Sequence, residues 1–106
     1  MKTWEEIYLK YKDTELMKEF RDWHWGKNGG VVLSRGYANI KDIWGYLICF
    51  AETKDYRISI WHYVCHLNVS IFQKKTGKWK RITVQHSDTI EAGMLYCADK
   101  FFEVAK

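Results

Sequence analysis

Residues 67–86 read Leu-Asn-Val-Ser-Ile-Phe-Gln-Lys-Lys-Thr-Gly-Lys-Trp-Lys-Arg-Ile-Thr-Val-Gln-His, two alternating runs around Thr76-Gly77. Alternation at period two makes each run a strand, and glycine supplies the positive φ that a tight hairpin turn needs. A two-residue loop pairs Lys75 with Lys78, and therefore Ile71 with Ile82 and Val69 with Val84. Leu67, Val69, Ile71, Ile82 and Val84 then share one face. A slip of one residue sets Ile71 opposite Arg81 and splits the apolar set, so the first register is expected. The other face carries Asn68, Ser70, Phe72, Lys74, Trp79, Arg81, Thr83 and Gln85. Phe72 falls opposite Arg81 and Trp79 opposite Lys74, pairs suited to cation–π contact.

The flanking segments supply what covers the apolar face. Thr3-x-x-Glu6 is a capping box that opens a helix with Trp4, Ile7, Tyr8 and Tyr11 on one side. The phase slips at Asp13-Thr14, and Leu16, Met17, Phe20 and Trp23 form a new stripe. This predicts two short helices or one bent helix over residues 4–24, stopped by Gly26, Gly29 and Gly30. Residues 31–38 read as a short strand. Residues 40–52 admit two readings: a helix with Ile40, Ile43, Leu47 and Phe50 on one side, or a strand over 44–51 that turns at 52–55 into 56–63. The aromatic and β-branched content and Gly45 favour the strand. The run 56–73 changes its alternating face near Val64–His66, where a corner, bulge or short loop is expected. A second capping box, Asp88 with Glu91, opens the last helix, whose stripe is Ile90, Met94, Ala98, Phe101 and Ala105, extended by Leu95, Phe102 and Val104. The expected fold is α+β: one domain over residues 1–106, an antiparallel sheet of about four strands with N-terminal and C-terminal helices packed on it.

Composition narrows the function. The 106 residues carry a net charge of +4, and five of the eight residues from Lys74 to Arg81 are basic with no acid among them. Such a balance permits nucleic acid or an acidic protein as partner. Aromatics make up 17% of the chain, more rings than so small a core readily buries, so part of them is expected at a contact surface. The start Met-Lys-Thr-Trp-Glu-Glu has no apolar signal region and no run is long enough to span a membrane, which predicts a cytoplasmic chain with reduced thiols at Cys49, Cys65 and Cys97.

No constellation calls for catalysis. His62-x-x-Cys65-His66 would chelate a metal on a helix, but on one strand the histidines lie about 13 Å apart. Cys65 and His66 are strand neighbours that point to opposite faces, and Cys49 and Cys97 sit in apolar stretches suited to core packing. Glu5, Glu6, Asp88 and Glu91 are accounted for by capping and the helix dipole. Gly29-Gly30 has neither Walker nor dinucleotide spacing. Neither an enzyme, nor a metal, nor a cofactor is expected.

The element order, the Trp-rich first helix and the closing Asp-Thr-Ile-Glu-Ala-Gly-Met-Leu-Tyr-Cys-Ala helix resemble the small phage-encoded α-β-α sandwich proteins. The resemblance covers about 18 residues and implies a phage or prophage accessory protein without catalytic residues; many small phage proteins of this type bind and inhibit host machinery, anti-defence proteins among them. The expected function is thus a small non-enzymatic binding protein, an accessory or inhibitory factor of a phage or mobile element. Its partner is a host protein or protein complex, with Trp23, Trp25, Trp44 and Trp61 as candidate anchors. The alternative is a DNA- or RNA-binding module that uses hairpin 67–86, because phosphates need Lys and Arg while bases stack on exposed rings. Phe72, Lys74, Lys75, Lys78, Trp79, Lys80 and Arg81 are the candidate binding residues. A homodimer fits either reading, since a hairpin over 44–63 has apolar residues on both faces.

Overall fold

The computed structural model describes residues 3–27, 40–63 and 66–105. Two helices open the chain, α1 (Trp4–Tyr11) and α2 (Glu15–Lys27). Thr3 caps α1, its hydroxyl accepting from the Glu6 N–H at 3.2 Å. Thr14 makes the break: its N–H donates to the Tyr11 carbonyl at 2.9 Å and its hydroxyl accepts from the Met17 N–H at 3.3 Å, so one residue ends α1 and caps α2. The phase slip in the sequence is therefore a pair of short helices. Gly26 stops nothing, because α2 runs through it to Lys27.

Residues 40–53 correct the favoured expectation: they form a helix, α3 (Ile40–Thr53), not a strand. Ile40, Ile43, Leu47, Phe50 and Ala51 are buried together, and their spacing is helical. Gly45 lies on the open side, with nothing within 4 Å of a Cβ built there. A glycine there costs roughly 1 kcal/mol against alanine, less than burying five apolar side chains gains. The proposed two-faced apolar hairpin over 44–63 thus does not exist, and the argument it gave for a homodimer falls with it.

A short turn with Asp55 at φ 63° leads into β1 (Tyr56–Tyr63), followed by β2 (His66–Lys75), β3 (Lys78–Ser87) and α4 (Ile90–Val104). The fold is α+β, with an antiparallel sheet flanked by helices; among the described residues the sheet has three strands in the order β1-β2-β3. The change of face near 64–66 separates two strands, because Tyr56 pairs with Gln73 and Tyr63 with His66. The strand expected at 31–38 lies outside the described residues.

Layering follows from burial. One sheet face, with Tyr56, Ile58, Leu67, Val69 and Ile71, packs against α3 and α4, and α1 and α2 pack on those helices from the far side. Rings tie the layers: Phe101 meets Tyr56 edge-on at 5.7 Å, Phe20 meets Phe50 at 4.9 Å, and Trp4 meets Phe102 at 6.2 Å. Because α4 is covered on two sides, it buries Gly93, Leu95, Cys97, Ala98, Phe101 and Phe102. The expected stripe is corrected at Ile90 and Val104, which are exposed. The cap is also one residue later than expected. The Thr89 hydroxyl, not Asp88, takes the Ala92 N–H at 3.1 Å.

Candidate binding face on the outer side of the sheet

The hairpin tip has the expected register. Lys75 pairs with Lys78, Lys74 with Trp79 and Phe72 with Arg81 across Thr76 (φ 51°) and Gly77 (φ 79°). Both turn residues having positive φ defines a type I′ turn, whose twist matches that of the strands. Beyond Phe72 the expectation fails. A bulge lets Ile71 pair with Thr83, Ser70 with Val84 and Val69 with Gln85, so the Ile71–Ile82 and Val69–Val84 pairs do not form. Ile82 is the extra residue and is 37% exposed. Val84 and His86, not Thr83 and Gln85, consequently pair with Ser70 and Asn68.

The intact tip register assembles a site. The Arg81 guanidinium lies 5.7 Å from the Phe72 ring centre, and the Lys74 ammonium lies 6.0 Å from that of Trp79. A residue that the sequence reading missed, Arg57 of β1, reaches across β2 and stands 4.3 Å over the Trp79 ring. Its other partner is Glu52, at 3.5 Å from its Nε. The signal for Arg57 lay in the pairing of β1 with β2: once the two strands run antiparallel, Arg57 falls opposite Phe72. Arg57, Phe72, Lys74, Trp79 and Arg81 thus form one cation–π-laced patch across all three strands. Phe72 and Trp79 are half-buried and the three cations are exposed. Lys75, Lys78 and Lys80 are exposed as well, but alternation sends them to the other side of the ribbon, around the tip rather than into the patch.

The remaining candidates are elsewhere. Cys97 is buried in α4, and burial pushes its thiol up to about 12, which keeps it protonated and inert. Cys49, expected in the core, is exposed on α3, because the helical period of 40–53 turns it outward. His62 and His66 fall on neighbouring strands, paired with Leu67 and Tyr63, so neither the helical nor the single-strand spacing applies. Among the described residues no three His, Cys, Asp or Glu side chains are grouped to hold a metal ion. None of the helices among them is long and apolar enough to cross a membrane. A groove of about 470 Å³ opens between the α1–α2 turn, the start of β1 and the end of α4, floored by Tyr11, Leu16, Tyr56 and Phe102 and rimmed by Glu15 and Glu19. Its carboxylates are paired with lysines, Glu15 with Lys18, Glu19 with Lys54 and Glu103 with Lys100, whereas the hairpin tip carries exposed cations with no acid among them.

Compared with known proteins, the chain matches no family model, no curated protein and no solved structure.

Proposed function

We propose that this chain is a non-enzymatic binding protein and that the outer face of its sheet, with the hairpin tip, grips single-stranded nucleic acid. The observation that carries the reading is the pair of rings held under cations, Trp79 below Arg57 and Phe72 below Arg81. A half-buried tryptophan beside a hairpin tip has little structural reason to be there. Fixed beside guanidinium groups, it offers a stacking platform next to phosphate-binding charge, the combination that single strands require. Exposed Lys74 adds to that charge on the same face, and exposed Lys75, Lys78 and Lys80 carry it around the tip to the other side of the ribbon. No cofactor enters this chemistry, and the site of action is the cytoplasm.

The direct test is a fluorescence-anisotropy titration of labelled single- and double-stranded oligonucleotides with the intact chain and with Trp79→Ala/Arg81→Glu. Saturable single-strand binding that the double variant loses while staying folded supports the reading; equal binding by both proteins removes it.

A second reading keeps the resemblance to phage accessory proteins: an inhibitory, anti-defence factor that binds a host protein. The observation in its favour is Trp25, 54% exposed in the last turn of α2, since exposed tryptophans dominate protein–protein hot spots. In that case the hairpin variants bind the host protein normally, and Trp25→Ala is the substitution that weakens the complex.

A further inference from the structure

The three cations of the patch are not equivalent. Arg57 has an acid beside it: its Nε lies 3.5 Å from the Glu52 Oε1, and each side chain is 50% exposed. Lys74 and Arg81 face rings, and among the described residues neither forms an ion pair with a carboxylate.

The local chain brings this one acid to the patch. Glu52 is in the last turn of α3 and Arg57 is the second residue of β1. Between them the Lys54 N–H donates to the Ala51 carbonyl at 3.0 Å and the Asp55 N–H to the Glu52 carbonyl at 3.1 Å, and Asp55 takes φ 63°. This tight reversal sets the side chains before and after it against each other. Lys54, the base between them in sequence, pairs with Glu19 of α2 instead, which leaves Glu52 to Arg57. Arg57 is therefore held from two sides, by Glu52 at its Nε and by the Trp79 ring 4.3 Å from its guanidinium carbon.

We infer that Glu52 occupies Arg57 in the free protein as an intramolecular stand-in for phosphate, and that a nucleic acid displaces it on binding; the inference rests on the outer face being a nucleic-acid surface. Carboxylate and phosphate offer a guanidinium the same thing, a charged oxygen acceptor for its N–H donors. The pair is built to yield. At 3.5 Å it is longer than the ~2.7–2.9 Å of a charge-assisted hydrogen bond, and water solvates a half-exposed carboxylate once it is released. Trp79 keeps the guanidinium in place when Glu52 leaves. Phosphate bound at Arg57 thus replaces an anion already there, whereas Lys74 and Arg81 gain one outright. Glu52 lowers affinity without reading sequence, because it competes with phosphate and not with a base.

The test titrates labelled oligo-dT with the intact chain, Glu52→Gln, Arg57→Gln and the double variant, at about 50 and 200 mM salt. Glu52→Gln is expected to bind about two- to fivefold more tightly than the parent at the lower salt, the worth of an exposed ion pair. Its salt dependence should be steeper than the parent's, because salt screens the competing pair that the parent retains. In the Arg57→Gln background the same change should lose this gain, since Glu52 acts through Arg57. A gain of equal size in both backgrounds shows that Glu52 only adds negative charge to the region, and overturns the inference. Weaker binding by Glu52→Gln shows that the carboxylate positions Arg57 for the ligand instead of competing with it, and overturns it too. Parent binding that Glu52→Gln leaves unchanged overturns the inference and leaves the nucleic-acid reading standing; absence of binding by all four proteins overturns both.

Discussion

Gly93→Ala puts a number on how tightly α4 is pressed onto the sheet. A Cβ at this position would stand 2.7 Å from the Val69 Cγ1, inside the 3.4–4 Å of ordinary contact, with Ser87 Cβ a further neighbour at 3.6 Å. Val69 is 0% exposed, and a β-branched side chain has few rotamers into which to retreat. In an unhindered helix the substitution gains about 1 kcal/mol. Here it must also push α4 from β2, and overpacking of a filled core costs ~1–3 kcal/mol. The expected balance is a net loss of about 1 kcal/mol, or roughly 4–8 °C in melting temperature for a domain of this size. Gly45→Ala is the internal control: its Cβ meets nothing within 4 Å, so only the helix gain of about 0.5–1 kcal/mol should appear. Thermal and urea melts of the two variants should therefore move in opposite directions. Adding Val69→Ala to Gly93→Ala should show a favourable coupling of about 1 kcal/mol in a double-mutant cycle. If Gly93→Ala stabilises as much as Gly45→Ala, the close contact between α4 and β2 is not real and the layer order built on it is wrong.

Other predictions concern local chemistry. Thr76 is β-branched at φ 51°, so Thr76→Asn should stabilise the hairpin by up to about 1 kcal/mol, read as a higher urea midpoint with an unchanged slope. Thr89→Ala removes the hydroxyl that caps α4 and should cost about 0.5–2 kcal/mol in the same melts. Cys97 has its folded-state value raised from 9.0 to about 12 by burial. Its contribution is fully present below pH 9 and is lost as pH rises toward 12, by at most about 1.4 kcal/mol per pH unit. Cys97→Ala should flatten that alkaline loss, and a thiol reagent should label Cys49 in the native protein but Cys97 only after unfolding.

Much of the hairpin was legible in the sequence because turn chemistry is local. Thr76-Gly77 set the loop, and the loop set every pair out to Phe72 and Arg81. The bulge at Ile82 was not legible, since strict alternation continues through it. Residues 40–53 carried both signals. Their Trp, Tyr, Ile and Phe content suggested a strand, while Ile40, Ile43, Leu47 and Phe50 kept the helical spacing that burial against α4 and β1 rewarded. Arg57 escaped notice because its role comes from a strand that had not yet been paired. The cation–π pairs Phe72–Arg81 and Trp79–Lys74, in contrast, needed only the tip register and are present as expected.

The central claim, that the outer face binds single-stranded nucleic acid through its cations and rings, is tested most directly by the salt dependence of oligonucleotide binding. Arg57, Lys74, Lys75, Lys78, Lys80 and Arg81 are exposed on or around the patch. If the three on the patch itself, Arg57, Lys74 and Arg81, neutralise phosphates, log K should fall with log salt at a slope of about −2 for a single strand, a loss of roughly twentyfold between about 50 and 200 mM salt, and a steeper slope would bring in the tip lysines. Arg57→Glu should make the slope shallower, and Trp79→Ala should weaken binding at every salt concentration with the slope retained. Absence of binding at the lowest salt, or binding indifferent to salt, contradicts the account.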